Sequence, residues 1–202
     1  MSNEENVGVK QLDQTRDRLL AAGLNLLATK GYRGAITREI AMEAGVTEVT
    51  MYRHFRSKEE LFAAAITEHA EQLINLVPEP SGNVETDLMI LATGCLEHIS
   101  SLPSKLMHIV PGLTEHPKLK EIIADIMRRF RAKTLALCHY YQSKAELVED
   151  VDDVIFTAFV GPIYFSSLGI NADDDRFDCR RYVKLFIDGY CRRNCEAGSE
   201  AS

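Results

Sequence analysis

Apolar residues recur along most of this chain at intervals of three and four, which is the spacing of a helix with one buried face. No stretch shows the strict alternation of a half-buried strand, and Pro78–Asn83 is the clearest break in the pattern. The sequence therefore predicts an all-α protein. The predicted long helices cover residues 13–30, 57–77, 84–101, 118–145, 152–168 and 176–193, with a short helix or irregular bend at 103–113.

Signals for the start and the end of a helix lie much closer together in residues 37–58 than in the rest of the chain. Gly45 stands where a short helix must stop, and glycine takes the left-handed C-terminal position without steric cost. Thr37 and Thr47 are each placed to cap a following helix, and Ser57 with a glutamate three residues on has capping-box spacing. Two short helices, a tight turn and an immediate third helix predict a helix-turn-helix, which places one helix in the DNA major groove.

The second of these short helices carries hydrogen-bonding side chains on its outward face. Such groups reach phosphate oxygens or base edges, and Lys58 would add its charge at the positive end of the next helix. From Lys30 to Lys58 there are six basic and three acidic residues, a local charge of +3 in a chain of net charge −7. A polyanion would therefore dock here. The predicted outward residues are Glu48, Val49, Thr50, Tyr52, Arg53 and His54, and Arg38 belongs to the same basic patch.

This segment resembles the DNA-binding domain of the TetR (tetracycline-repressor) family of bacterial transcriptional regulators. The resemblance covers about residues 15–73 and rests on Gly31-Tyr32, Thr37, Ile40-Ala41, Ala44-Gly45-Val46, Met51-Tyr52, His54-Phe55 and Ser57–Leu61. It implies DNA contacts by Thr37, Thr47, Thr50, Tyr52, His54 and Lys58, and a role in base choice for Glu48, Val49 and Arg53. Glu48 departs from the many members with a basic or neutral residue there. A carboxylate repels phosphate but can accept from the amino group of cytosine.

Four parts follow from the helix pattern and the resemblance. A helical connection between the two functional domains can transmit a displacement that a flexible linker could not. The predicted parts are a disordered polar tail over residues 1–12, a three-helix helix-turn-helix DNA-binding domain over 13–58, a connecting helix over 59–77, and a helical ligand-binding and dimerisation domain over 78–202.

The two helices predicted nearest the C-terminus carry more apolar residues than one buried face requires. A helix that is apolar nearly all round must be covered on every side, and a second copy of the chain is the natural cover for one side. The resemblance agrees, because family members dimerise through their last two helices. The predicted interface residues are Phe156, Phe159, Val160, Ile163, Tyr182, Phe186 and Tyr190, each of which could instead belong to the intramolecular core.

A small effector is expected among the helices of residues 84–165. The mostly apolar residues there favour a hydrophobic or amphipathic molecule. The combined prediction is a homodimeric repressor whose pseudo-palindromic operator has half-sites roughly one helical turn (~34 Å) apart and whose state depends on the effector. The candidate lining residues, any of which could be plain core, are Leu91, Cys95, Met107, Ile126, Phe130, Leu137 and Phe159.

Composition excludes several other classes. An apolar fraction of 46% and a charged fraction of 26% are ordinary for a globular protein, no apolar run approaches the roughly 20 residues of a membrane span, and the acidic N-terminus has no secretory pattern. We therefore expect a cytoplasmic protein, and the resemblance implies a bacterial one. The five cysteines and six histidines lack metal-ligand spacing, so we expect reduced thiols, no metal and no cofactor. Two alternatives remain open: a helical ligand-binding or scaffold protein without DNA binding, which Glu48 supports slightly, and an enzyme that uses His108 or His139.

Overall fold

The computed structural model describes residues 3–101, 116–144, 146–147, 153–166 and 177–190, and the side chains from Gln14 onward except that of Ser101. Every regular element among these residues is an α-helix, which confirms the predicted fold class. None of the described helices is long and apolar enough to cross a bilayer. The helices are α1 (Asn3–Gly34), α2 (Thr37–Glu43), α3 (Glu48–His54), α4 (Lys58–Asn75), α5 (Val84–Ser101), α6 (Pro117–Ser143), α7 (Asp153–Ser166) and α8 (Cys179–Tyr190).

The N-terminal tail differs from its prediction. Helix α1 begins at Asn3, so the described part of the segment predicted to be disordered is helical. The polar composition of the tail does not oppose this, because no proline interrupts the chain before Lys30 and glutamate, glutamine and lysine are good helix formers. The backbone leaves helical geometry at Gly31, where φ is 68°, close to the predicted end of the helix.

The contacts divide the chain into two compact units. The first comprises the described residues up to Ile74 together with those of His98–Arg129, and the second comprises Asn75–Glu97 together with the described residues from Phe130 onward. This division cuts across α5 and α6. The boundaries at residues 58 and 77 stay a prediction.

The core of the first unit joins the helix-turn-helix to α1 and α4. Helix α1 packs closely on α4 at Gly23, where an added Cβ would overlap the Leu61 Cδ2, so that side chain would have to shift. The predicted core positions of the turn are confirmed: Ile40, Ala41, Met51 and Phe55 are buried, and Val46 packs against them. The core that holds them also includes Leu19, Leu20, Leu26, Leu27, Ala44, Leu61, Phe62 and Leu119.

The second unit is built around a buried polar pair. Asp87 is fully buried in the first turn of α5, where its carboxylate accepts hydrogen bonds from the Tyr141 hydroxyl and from the Ser81 N–H (2.8 Å). The Tyr141 oxygen in turn accepts from the Gly82 N–H at 3.2 Å. Burial alone would raise the pKa of Asp87, but the hydrogen bonds from Ser81 and Tyr141 together outweigh it and hold the pKa below its ordinary value. The pair fixes the loop before α5 to the end of α6.

A proline inside α7 leaves one helix carbonyl without its usual hydrogen-bond donor. Pro162 has no N–H, so the carbonyl of Ala158 loses the partner that a helix normally supplies four residues on. The Tyr182 hydroxyl from α8 donates to that carbonyl at 2.6 Å and is also 2.7 Å from the carbonyl of Phe159. Helix α7 runs from Asp153 to Ser166 through this proline.

Three of the seven predicted interface residues lie in the interior of the single chain. Phe159, Ile163 and Phe186 are already buried within the single chain, with the Phe159 and Phe186 rings 4.9 Å apart, so they form the intramolecular core. An apolar helix does not reveal from its sequence alone which side faces its own chain. The other four candidates, Phe156, Val160, Tyr182 and Tyr190, are half-buried, whereas Val154 (64%), Phe165 (59%) and Leu185 (61%) are exposed.

Candidate nucleic-acid interface

The turn between α2 and α3 has the geometry that its sequence predicts. Gly45 has a φ of 67°, in the left-handed region. The Val46 N–H donates to the Ala41 carbonyl at 2.9 Å, and the Gly45 N–H donates to the Met42 carbonyl at 3.1 Å. These two bonds are the Schellman motif, which satisfies carbonyls that the helix end leaves without partners. The motif fixes the direction in which the chain leaves α2 and therefore the placement of α3.

Helix α3 begins with the predicted cap. The Thr47 hydroxyl accepts from the Thr50 N–H at 3.2 Å, and the two threonine hydroxyls lie 3.0 Å apart within hydrogen-bonding distance. Met51 is buried on the inner face of the helix, whereas Val49 is 80% exposed and Tyr52 is 47% exposed. The burial of Met51 therefore turns the polar and aromatic face of α3 outward.

Thr37 does not cap α2 as predicted. The N-cap residue is Ile36, which has no side-chain cap, and Thr37 is the first helical residue. The Thr37 hydroxyl instead donates to the carboxylate of Glu48, at the start of α3. This bond joins the beginnings of the two helices, so the acidic residue that departs from the family pattern has a partner inside the protein. Sequence reasoning missed it because the two residues are 11 positions apart.

Lys58 is turned toward the protein. Its ammonium group donates to the Tyr32 carbonyl at 2.8 Å and lies 4.6 Å from the centre of the Tyr32 ring. The same ring packs against Phe62 (5.4 Å between centroids) and His116 (3.6 Å). Burial lowers the pKa of Lys58. One of the three N–H donors of the ammonium group is therefore used within the protein, and the predicted phosphate contact would use another.

The first turn of α4 is closed by a modified capping box. The Ser57 hydroxyl accepts from the Glu60 N–H at 3.1 Å as predicted, while the Glu60 carboxylate accepts from the Arg56 N–H at 3.0 Å. His54, at the end of α3, is half-buried, and its Nε2 has no hydrogen-bond partner among the described residues. A contact from Nε2 to DNA would require the ring to turn outward.

The carboxylates of Glu39 and Glu43, in α2, are paired with side chains of the same chain. Lys30 pairs with Glu39 at 2.8 Å, and the Asn25 amide donates to Glu43 at 2.7 Å. The basic side chains that remain on the surface are Arg33, Arg38, Arg53 and Arg56, all of which are exposed. Of the ten predicted DNA-contacting residues, Arg38, Thr47, Val49, Tyr52 and Arg53 are exposed, and Thr37, Glu48, Thr50, His54 and Lys58 are half-buried.

The predicted effector-lining residues are mostly core. Within the second unit Leu91, Cys95, Phe130, Leu137 and Phe159 are buried, Ile126 is buried in the first unit, and Met107 and His108 lie outside the described residues. An open depression in the second unit contains none of them, since it lies along α7 at Asp153, Val154, Thr157, Ala158 and Pro162. The effector site stays a prediction.

The surroundings of the described cysteines and histidines bear on two kinds of chemistry, thiol reactivity and metal binding. Burial raises the pKa of Cys95 to about 12 and that of Cys138 to about 11, so both stay as unreactive thiols at neutral pH. No cluster of three or more potential metal ligands occurs among the described residues. His139 is exposed and lies 2.9 Å from the Gln142 amide oxygen.

The comparisons with known proteins agree with this geometry. The family described as bacterial regulatory proteins, tetR family, matches residues 19–65. The HTH-type transcriptional regulator YvkB of Bacillus subtilis is 25% identical over 186 residues, which cover 87% of this chain and 96% of YvkB. The activator FasR of Mycolicibacterium smegmatis is 38% identical over 63 residues, covering 31% of this chain and 29% of FasR.

Solved structures with this fold extend over most of the chain. GusR of Salmonella enterica aligns with a TM-score of 0.71 and 21% identity over 87% of this chain and 94% of its own. The fatty acid degradation regulator FadR from Bacillus halodurans aligns with a TM-score of 0.68 and 20% identity over 86% and 92% of the two chains. At these identities the alignments show the fold alone. Together with the matched family segment and the regulator relatives, they lead to one conclusion: residues 19–65 are a DNA-binding segment of the TetR family of bacterial regulatory proteins, and the chain is a DNA-binding transcriptional regulator, not an enzyme.

Proposed function

We propose that this regulator is a repressor that binds a pseudo-palindromic operator as a homodimer in the bacterial cytoplasm and responds to a small effector. The observation that carries the proposal is the outward face of α3, held by the Schellman turn and the Thr47 cap and surrounded by exposed arginines. A single short helix covers only a few base pairs, so two copies related by a twofold axis would supply an operator-length contact.

The exposed apolar side chains of α7 and α8 support the dimer. Val154 and Phe165 on α7 and Leu185 on α8 leave more than half of their surface in water. A second copy of the chain would bury them, which is favourable by about 25 cal/mol per Å² of apolar surface. The substitution Leu185→Asp should therefore give a monomer in size-exclusion chromatography with light scattering, whereas Met42→Asp, also at an exposed apolar position, should leave a dimer. A wild-type chain that is monomeric at micromolar concentration would contradict the dimer.

DNA binding is tested by fluorescence polarisation with the duplex upstream of the chain's own gene. We expect affinity that exceeds that for a scrambled duplex by about 10³-fold or more and that falls with the logarithm of the salt concentration. Equal affinity for both duplexes would count against this operator.

Two substitutions test the predicted contacts. Tyr52→Phe should weaken binding if the hydroxyl reaches a phosphate, and Lys58→Ala should reduce the salt slope by about 1 for each half-site. Tyr140→Phe and Lys144→Ala are matched controls, because Lys144 also lies over a tyrosine ring, 5.7 Å from the centre of Tyr140. If neither Tyr52→Phe nor Lys58→Ala changes binding, the assignment of these contacts is wrong.

The effector proposal follows from the apolar interior of the second unit and favours a hydrophobic or amphipathic molecule. The test is mass spectrometry of small molecules released from the purified chain, followed by operator titration with each. A repressor of this kind should lose operator affinity when the effector binds, because the effector must bind the two states unequally. Stronger operator binding with effector would reverse the proposed sign.

A further inference from the structure

The recognition face of α3 has an apolar residue at its outermost point. Val49, Tyr52 and Arg53 are spaced i, i+3 and i+4 and share one face, opposite the buried Met51. Val49 is 80% exposed, which places its two methyl groups in water in the unbound protein. A side chain at this point of a helix in the major groove contacts the exposed edges of the bases.

The polar side chains around Val49 are engaged within the protein. The Thr37 hydroxyl donates to Glu48, and the hydroxyls of Thr47 and Thr50 are 3.0 Å apart. These bonds hold the first turn of α3 in one conformation, with Val49 projecting from it. Glu48, which sequence reasoning assigned to base choice, has its carboxylate directed at Thr37. In this turn, Val49 is therefore a better candidate than Glu48 for the residue that contacts a base.

Valine can be matched by only one feature of the major groove. Guanine, adenine and cytosine present hydrogen-bonding groups there, and covering these with methyl groups removes water without replacing its hydrogen bonds. Thymine presents a 5-methyl group, which is the apolar group of this groove. Contact between the valine methyls and that group removes apolar surface from water on both sides.

We propose that Val49 determines specificity by packing against the 5-methyl group of one thymine in each operator half-site. The inference rests on the proposed function, because it requires the outward face of α3 to enter the major groove of a specific site. It adds the identity of one base and the atom that is recognised. Loss of one buried methyl corresponds to about fourfold in affinity per half-site, and therefore to about fifteenfold when both half-sites are altered.

The experiment uses the full chain and a duplex selected by it from a random-sequence DNA library. Each thymine of the selected duplex is replaced in turn by deoxyuridine, which pairs identically but lacks the 5-methyl group. We expect the substitution at one symmetric pair of thymines to weaken wild-type binding about fifteenfold. With Val49→Ala the same substitution should have less than a twofold effect, while Met42→Ala, also at an exposed apolar position, should keep the wild-type ratio.

The possible failures are distinguishable. If no sequence is enriched in the selection, sequence-specific binding itself fails and the inference fails with it. If a sequence is enriched but no thymine is sensitive to loss of its methyl group, only the role of Val49 is overturned. The role is also overturned if a sensitive thymine remains equally sensitive with Val49→Ala, because another residue then contacts it.

Discussion

The substitution Tyr182→Phe removes one hydroxyl from the second unit and leaves an aromatic ring of nearly the same shape. That hydroxyl lies 2.6 Å from the Ala158 carbonyl and 2.7 Å from the Phe159 carbonyl. The Phe159 carbonyl can still accept from the N–H four residues on, as in any helix. The Ala158 carbonyl cannot, because the residue four positions on is Pro162.

The expected cost follows from this difference. The Ala158 carbonyl is only part-buried, so its loss of a partner costs less than the most that a fully buried group would lose, and we expect Tyr182→Phe to lower the free energy of unfolding by about 1 kcal/mol. The ring contacts with Phe159 (5.8 Å) and Phe177 (5.1 Å) should persist. With an m-value of about 2 kcal/mol per molar urea, the unfolding midpoint falls by about 0.5 M. Circular dichroism at one protein concentration measures it, since the stability of a dimer depends on concentration.

A double-mutant cycle makes the reasoning refutable. Pro162→Ala restores an N–H that can bond to the Ala158 carbonyl within α7, so in that background Tyr182→Phe should cost about 0.5 kcal/mol or less. Tyr140→Phe is the control, because its hydroxyl has no hydrogen-bond partner among the described residues, and it should change stability by less than about 0.5 kcal/mol. An equal cost of Tyr182→Phe with and without Pro162 would refute the role assigned to the hydroxyl.

Two further predictions concern the first unit. Glu48→Gln should keep an acceptor for Thr37 while removing a negative charge, so affinity for non-specific DNA should rise severalfold at low salt, whereas Glu48→Ala should lower the free energy of unfolding by about 1 kcal/mol; equal stability of the two variants would contradict the bond. The rings of His69 and His98 are stacked with centroids 4.1 Å apart, and burial lowers the pKa of both, that of His98 to about 4 with further lowering by His69. Because these folded-state pKa values lie below the unfolded value, the unfolded chain binds more protons and stability is lost as pH falls from about 6.5 toward 4. Urea midpoints across that range should decline less steeply for His69→Phe with His98→Phe than for the wild type, and an equal decline would contradict the role of this pair.

Local signals in the sequence predicted most of the fold. The i, i+3, i+4 spacing of apolar residues located α5 at Val84–Ser101 and α6 to within a few residues. Gly45 and Thr47 act on the chain within one turn of themselves, so their roles could be predicted from residue type and position alone. The tail differs from its prediction for a related reason: a polar composition is compatible with both a solvated coil and an exposed helix.

Contacts between helices could not be predicted from the sequence. Thr37 to Glu48 and Tyr182 to Ala158 depend on how two helices cross, which a pattern along one helix does not encode. The dimer candidates Phe159, Ile163 and Phe186 illustrate the same limit, because an apolar helix has no polar face to indicate its inner side. A signal for Tyr182 did exist: a proline inside a helix leaves a carbonyl that needs a donor, and a nearby tyrosine can supply one.

For Lys58, both the local sequence and the contacts between elements matter. Its position in the first turn of α4 favours phosphate binding, yet its ammonium group donates to the Tyr32 carbonyl and lies over the Tyr32 ring. The ammonium group carries three N–H donors, so one can remain on the Tyr32 carbonyl while another is offered to a phosphate, where both partners are charged. The same ring packs against His116, just before α6. The placement of Lys58 therefore depends on a tyrosine whose ring also contacts Phe62 and His116, both of which lie outside the helix-turn-helix.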